Sequence, residues 1–338
     1  MTTMTTDPPA ARPPAAHPPA ATDRVSLRER RPGLVVVIGN PAAGASGRRV
    51  IRSATSFLRR YARRVEMGMT RARGDAEALC REAVAAGAEV VVAAGGDGTI
   101  NEVVNGLAGT GATLGILPLG TANVLALETG VPLDPEAACR LILTGRPARI
   151  HLGMAGARRF LLMAGAGFDA EVVYGTADAW KRKMGKAAYV LAGFWTLIAR
   201  PGPRITVTAD GAGPLQATGV ILGKARLYGG RFSVTPGARL DEPLLQACVF
   251  LGRGRVRRTR AALRVVRGTH AATRDVAIFK TDRLYVDSPE RVHVHADGDL
   301  VGTLPMEFRV APESLRVILP GPGTGGFADG GIAAGGGA

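Results

Sequence analysis

The stretch VVVAAGGDGTINEVVNGL, residues 90–107, runs an apolar, β-branched segment into a helical pattern through Gly95, Gly96, Asp97, Gly98 and Thr99. Val90 to Ala94 read as a buried strand, and Ile100, Val103, Val104 and Leu107 recur at i, i+3, i+4 and i+7, the stripe of an amphipathic helix. A tight turn needs only one or two glycines. Three of them let backbone N–H groups approach phosphate oxygens closely, and the following helix N-terminus adds favourable partial charge. Asp97 does not suit a purely phosphate-cradling loop, because a carboxylate repels phosphate. It fits if it holds Mg²⁺ against phosphates or orients an attacking hydroxyl. It fits equally as a helix N-cap. The local pattern leaves these readings open.

Working outward, LVVVI (34–38), VEMGM (65–69) and TLGILP (113–118) read as further strands. Val50, Ile51, Ala54, Phe57, Leu58 and Tyr61 fall at helical spacing, and residues 75–86 form another helical pattern. Strand and helix alternating in this way predict an open, mostly parallel α/β sheet of Rossmann-like type, covered on both faces. Ligands of such sheets bind beyond the carboxyl ends of the strands. GNPAAG (39–44), the glycine loop and PLGTANVLA (118–126) all fall there, and Thr99 and Thr121 add hydroxyl donors. After about residue 148 short β-type runs dominate, separated by Gly, Pro and Asp turns, which predicts a largely antiparallel, β-rich second domain. The run SLRVILP (314–320) fits either domain.

Bulk properties narrow the function. The 338 residues suit two domains plus tails, and the net charge of +15 favours an anionic partner: nucleic acid, an acidic membrane surface or a polyphosphate. Cys80, Cys139 and Cys248 lack metal-site or disulfide-framework spacing and read as reduced thiols. No signal-peptide core is apparent, and the apolar segment 189–199 is too short to span a bilayer. There is no GxxxxGK[ST] phosphate loop, and GAGFDA (165–170) reads as a structural turn.

GGDGTINEVVNGL together with NPAAG and LPLGTANVLA resembles the diacylglycerol kinase catalytic family, which includes bacterial soluble lipid kinases and the sphingosine and ceramide kinases. AGAGFDAEVV, KRKMGKAAYVLAG, GGRFSVTPGARLDEPLLQACVF and HADGD continue the match in order, so it covers roughly residues 33–320. The resemblance implies a nucleotide domain of the NAD kinase/diacylglycerol kinase type at 32–148 and a β-sandwich lipid-binding domain at 149–310. A C-terminal strand at 311–320 completes the fold, between disordered tails at 1–31 and 321–338. It also implies Mg²⁺-dependent transfer of the γ-phosphoryl group of ATP to a lipid hydroxyl, most simply that of diacylglycerol. Carried over residue by residue, Asn40, Pro41, Ala42, Ala43, Gly44, Thr70, Gly96, Asp97, Gly98, Thr99, Ile100, Asn101, Glu102 and Thr121 would contact the nucleotide. Asp299, in the family's proton-acceptor position, would act with Asp297 and Asp97 in catalysis.

Two departures stand out. The family's DGE is DGD here, one methylene shorter, so the base sits further back unless the backbone compensates. The family's DDGLL, which binds a structural Mg²⁺, reads DEPLL (241–245). Glu242 with the backbone carbonyls of Arg239 and Leu244 would then be the protein's ligands, and Pro243 restricts the loop. A lipid kinase meets its substrate at an interface. The arginine-rich run 253–267 and the basic, apolar segment 180–200 are therefore candidates for contact with anionic phospholipid headgroups. Core packing competes for the apolar part of the second segment. The implied location is cytoplasmic, peripheral to the inner face of the membrane, with no nucleic-acid partner and a homodimer left open. NAD kinase, which shares a GGDG loop, and a catalytically silent membrane- or nucleic-acid-binding relative are the competing readings.

Overall fold

Val35 and Val37 face one helix layer and Val36 and Ile38 the other, so the first strand is apolar at every position because both of its faces are covered. The same holds for the strands at Val90–Gly95 and Thr113–Pro118. The computed structural model describes residues 32–43, 46–167, 202–210, 213–229, 232–252 and 254–321. In chain order the first half is β1 (Leu34–Gly39), α1 (Gly47–Leu58), β2 (Arg64–Met69), α2 (Asp75–Ala85), β3 (Val90–Gly95), α3 (Asp97–Leu107), β4 (Thr113–Pro118), α4 (Val124–Thr129) and α5 (Pro135–Thr144). The four strands are parallel in the order β2-β1-β3-β4. Ile51, Leu58, Ala138 and Ile142 from α1 and α5 pack on one face; Cys80, Ile100, Val103, Val104 and Leu107 from α2 and α3 pack on the other. The three cysteines are buried and unpaired.

The second half is β-rich, as the short alternating runs predict. It contains β5 (Arg146–Ala155), β6 (Arg158–Phe160), β7 (Met163–Gly167), β8 (Ile205–Ala209), β9 (Leu215–Ala217), β10 (Gly219–Gly223), β11 (Leu227–Tyr228) and β12 (Phe232–Ser233). Then follow β13 (Leu245–Phe250), α6 (Arg255–Val266), β14 (Val276–Thr281), β15 (Arg283–Asp287), β16 (His293–Ala296), β17 (Asp299–Thr303) and β18 (Met306–Leu319). An antiparallel sheet in the order β14-β13-β10-β7-β16-β17 faces β18, β15, β8 and β9 across a core that includes Phe160, Leu222, Val249, Val286 and Phe308. This is a β-sandwich.

β18 joins the two halves. Its first residues pair with β15, Arg316 and Val317 pair in parallel with β4, and nearly its whole length pairs with β5. One ten-stranded sheet therefore runs from the nucleotide-type half into the sandwich. The terminal tails, Gly44, Arg253 and the segment 180–200 singled out in the sequence lie outside the described residues.

Candidate functional site

Because β1, β3 and β4 are adjacent and parallel, the loops that follow them open at the same edge. Asn40 N–H donates to the Ala94 carbonyl at 3.0 Å, and Leu119 N–H donates to the Gly95 carbonyl at 2.8 Å. Thr70 N–H donates to the Gly39 carbonyl at 2.9 Å, which draws in the loop after β2 as well. Asn40 closes its own turn through Oδ1, which accepts from Ala42 N–H at 2.9 Å, while Nδ2 reaches Thr99 Oγ1 at 3.4 Å. Gly96 and Gly120 touch: a Cβ on Gly120 would lie 2.6 Å from Gly96 Cα. Asn123, with φ of 47°, holds the third loop by bonding Gly120 through both ends of its amide, at 2.8 and 2.9 Å. Gly98 is exposed, and a Cβ there would meet nothing within 4 Å.

The residues of 96–102 divide by task. Gly96, whose side chain is a single hydrogen, is the N-cap of α3, so Asp97 is not the cap. Instead, Asp97 Oδ1 accepts from Leu125 N–H, at the start of α4, at 3.3 Å. The carboxylate thus sits between two helix N-termini, where their partial positive charge suits it. Ile100 is fully buried in the core, so only its backbone belongs to the loop. Glu102 turns the other way, accepting from Ala76 N–H in the first turn of α2 at 3.1 Å. Asn101 points out of the loop toward the sandwich. The part of the motif left at the open edge is therefore shorter than the sequence pattern: Gly96, Asp97 and Gly98, with Thr99 buried just behind them.

The sandwich meets this edge through the β16–β17 hairpin. Ala296 pairs with Asp299, so Asp297 and Gly298 form a two-residue turn, both with positive φ, of 50° and 85°. Asp297 is half-buried and works as a hub. Its Oδ2 accepts from Leu161 N–H at 2.6 Å and from the Asn101 amide; its Oδ1 accepts from Leu162 and Met163 N–H, both at 2.9 Å. Burial pushes this carboxyl above the usual carboxylate range, and the four donors pull against that shift. The run RFLLMAGAG, which reads as one strand, breaks at Leu161 and Leu162 so that these N–H groups can face Asp297. Asp299, partly exposed, pairs with Arg73 from the loop between β2 and α2. Arg158 joins Glu77 of α2 at 2.9 Å, and Arg226 joins the buried Glu128 of α4 at 2.8 Å. The two halves thus meet through several polar contacts around the candidate residues.

Sequence reasoning missed Arg73, Arg158 and Lys224. Arg73 lies in an ordinary turn and Arg158 opens the short strand β6, and neither carries a signal. Lys224 does: it follows the apolar run GVILG and is fully buried. Its Nζ donates to the carbonyls of Arg239 (2.9 Å), Glu242 (2.5 Å) and Leu244 (3.0 Å). The three residues expected to ligate a structural Mg²⁺ thus surround an ammonium. The Glu242 carboxylate is turned to Lys280 Nζ at 2.5 Å and Arg239 Nε at 3.4 Å. Burial draws the Lys224 ammonium down to about 8, opposed by Glu242 and Asp241. Three carbonyl acceptors call for all three N–H donors of an ammonium. Among the described residues no cluster of three His, Cys, Asp or Glu side chains could hold a metal ion.

Residues 34–155 match the diacylglycerol kinase catalytic domain, and residues 163–319 match the YegS C-terminal NAD kinase beta sandwich-like domain. A probable lipid kinase YegS-like protein of Pseudomonas aeruginosa (strain UCBPP-PA14) is 35% identical over 293 residues, 85% of this chain and 94% of the relative. The chain belongs to this lipid kinase family. A diacylglycerol kinase of Bacillus subtilis (strain 168) is 30% identical over 253 residues, 73% of this chain and 83% of that protein. The fold is shared with the crystal structure of a putative diacylglycerol kinase from Bacillus anthracis str. Sterne, with a TM-score of 0.72 at 23% identity, covering 86% of this chain and 98% of that one. Membership in a kinase family implies ATP as the phosphoryl donor. No helix among the described residues is long and apolar enough to cross a membrane.

Proposed function

We propose that this lipid kinase transfers the γ-phosphoryl group of ATP to the hydroxyl of diacylglycerol, giving phosphatidic acid, at a membrane surface. The observation that carries the reading is the docking of the Asp297–Gly298 turn on Asn101, which brings Asp299 to the edge where the three glycine-bearing loops open. Phosphoryl transfer asks chiefly for positioning and charge neutralisation. The loop after β1, Gly96 to Thr99, and Thr121 bind the nucleotide phosphates through N–H and hydroxyl donors. Asp299 accepts the proton of the lipid hydroxyl, and Arg73 orients its carboxylate. Asp297 positions Asp299 by fixing the hairpin. Mg²⁺ fits as an ion carried in with ATP: Asp97 offers one carboxylate, and phosphate oxygens and water complete such a shell. When bound it offsets phosphate charge.

The membrane contact is assigned to α6. Its outer face exposes Val256, Leu263 and Val266 among the exposed Arg257, Arg260 and Arg267, an apolar strip set in cations. Flotation with vesicles should recover the protein on phosphatidylglycerol-containing vesicles and not on phosphatidylcholine alone. Arg257→Glu with Arg260→Glu should abolish recovery; unchanged recovery would remove α6 from the contact.

The reaction is tested by supplying ATP, Mg²⁺ and a panel of lipid alcohols in mixed micelles, with products read by mass. Phosphatidic acid from diacylglycerol is expected. Transfer only to a sphingoid base, ceramide or phosphatidylglycerol would change the acceptor. Transfer to NAD with none to any lipid would overturn the reading.

A further inference from the structure

A divalent ion in the loop 239–244 would need the carbonyl oxygens of Arg239 and Leu244 together with an oxygen of Glu242. All three of these residues already give a carbonyl to Lys224 Nζ, and an ammonium has three N–H donors, so the match is complete. Lys224 is wholly shielded from solvent, so its charge depends on these contacts. The acidic side chains of the loop are also engaged. Asp241 takes both Nε and Nη2 of Arg239, at 3.0 and 2.8 Å, and Glu242 is paired with Lys280. Mg²⁺ binds oxygen at about 2.0–2.1 Å. On these carbonyls it would have to sit where Nζ sits, with another cation beside it. The residues present do not fit a divalent ion.

We propose that the Lys224 ammonium is the resident cation of the 239–244 loop, standing in place of a bound divalent metal. Its position gives that substitution a consequence for the site. Lys224 and Ala225 N–H both donate to the Leu162 carbonyl, at 2.8 and 3.2 Å, and Leu162 N–H donates to Asp297. The loop closed by the ammonium is therefore one residue removed from the turn that presents Asp299. A chain with this lysine keeps that support when divalent ions are scarce, whatever lipid it phosphorylates.

The test reads melting temperature and metal content of the full chain without nucleotide. After chelation and gel filtration, the wild-type protein should hold no stoichiometric metal. Its Tm should move by less than about 1 °C between EDTA and millimolar Mg²⁺ or Ca²⁺, against the roughly 2–4 °C that 1 kcal/mol produces in domains of 150–250 residues. Lys224→Ala should melt roughly 5 °C or more lower in EDTA, and divalent ions should restore at least half of that loss through the vacated carbonyls. Lys224→Met, which fills the space without charge, should melt lower in every buffer. Stoichiometric metal in the wild type, or a wild-type Tm that falls in EDTA, would overturn the proposal even if neither variant could be purified. So would a Lys224→Ala variant that melts normally in EDTA, or one that no ion rescues.

Discussion

At Asp297 each carboxylate oxygen accepts two N–H bonds, so the side chain has no place for a donor. An asparagine there would press an NH₂ group against N–H donors and leave buried amides unsatisfied, at a cost on the order of 2–4 kcal/mol. Asp297→Asn should therefore lower Tm by roughly 5–15 °C and lose activity with it. Asp299, partly exposed and paired with Arg73, belongs to the other case. Asp299→Asn should melt within about 2 °C of the wild type, since an exposed ion pair contributes about 1 kcal/mol or less, while phosphate transfer falls at least about 100-fold, the scale of a lost general base. Parallel melting curves and turnover assays check both. An inactive, normally folded Asp297→Asn would reverse the two roles, and an active Asp299→Asn would remove the base.

The glycine loop between β3 and α3 can be dissected in the same way, because its glycines have different neighbours. Gly98 lies in the first turn of α3 with open space beyond it and no positive φ, so the fold has no need of a glycine there. Gly98→Ala should hold Tm or raise it slightly, since alanine favours a helix by about 0.5–1 kcal/mol. The KM for ATP should nevertheless rise severalfold if the backbone must approach phosphate closely. Unchanged KM would mean that the phosphates lie elsewhere. Gly120→Ala places a Cβ 2.6 Å from Gly96 Cα and should lower Tm and activity together. This division also explains what was legible in the sequence. Strands buried on both faces, such as 34–39, 90–95 and 113–118, announce themselves as uninterrupted apolar runs, and α3 by its stripe. The Asp-Gly pair at 297–298 is common turn chemistry. The tasks of Asn101, Glu102 and Lys224 were not, because each is fixed by a partner far along the chain: Asp297, Ala76 and the 239–244 carbonyls. Local spacing holds no record of such pairings.

At the scale of the molecule, β18 ties the two family domains into one unfolding unit. A strand of 14 residues that pairs with β4, β5 and β15 cannot leave one half without exposing unpaired backbone in the other. The Asn101–Asp297, Arg158–Glu77 and Arg226–Glu128 contacts add polar ties, and loss of the first or the last would strip a partner from the buried Asn101 or Glu128. The same coupling bears on the proposed function, which draws on loops from one half and a hairpin from the other. Differential scanning calorimetry should therefore give one transition, with the van't Hoff enthalpy close to the calorimetric enthalpy. Truncation after residue 305, which removes β18, should yield no separately folded nucleotide-type half, because β4 becomes an exposed parallel edge with an apolar face. Two resolved transitions in the intact chain, or a soluble, cooperatively melting 32–145 fragment, would show that the shared strand is not what makes the molecule one unit.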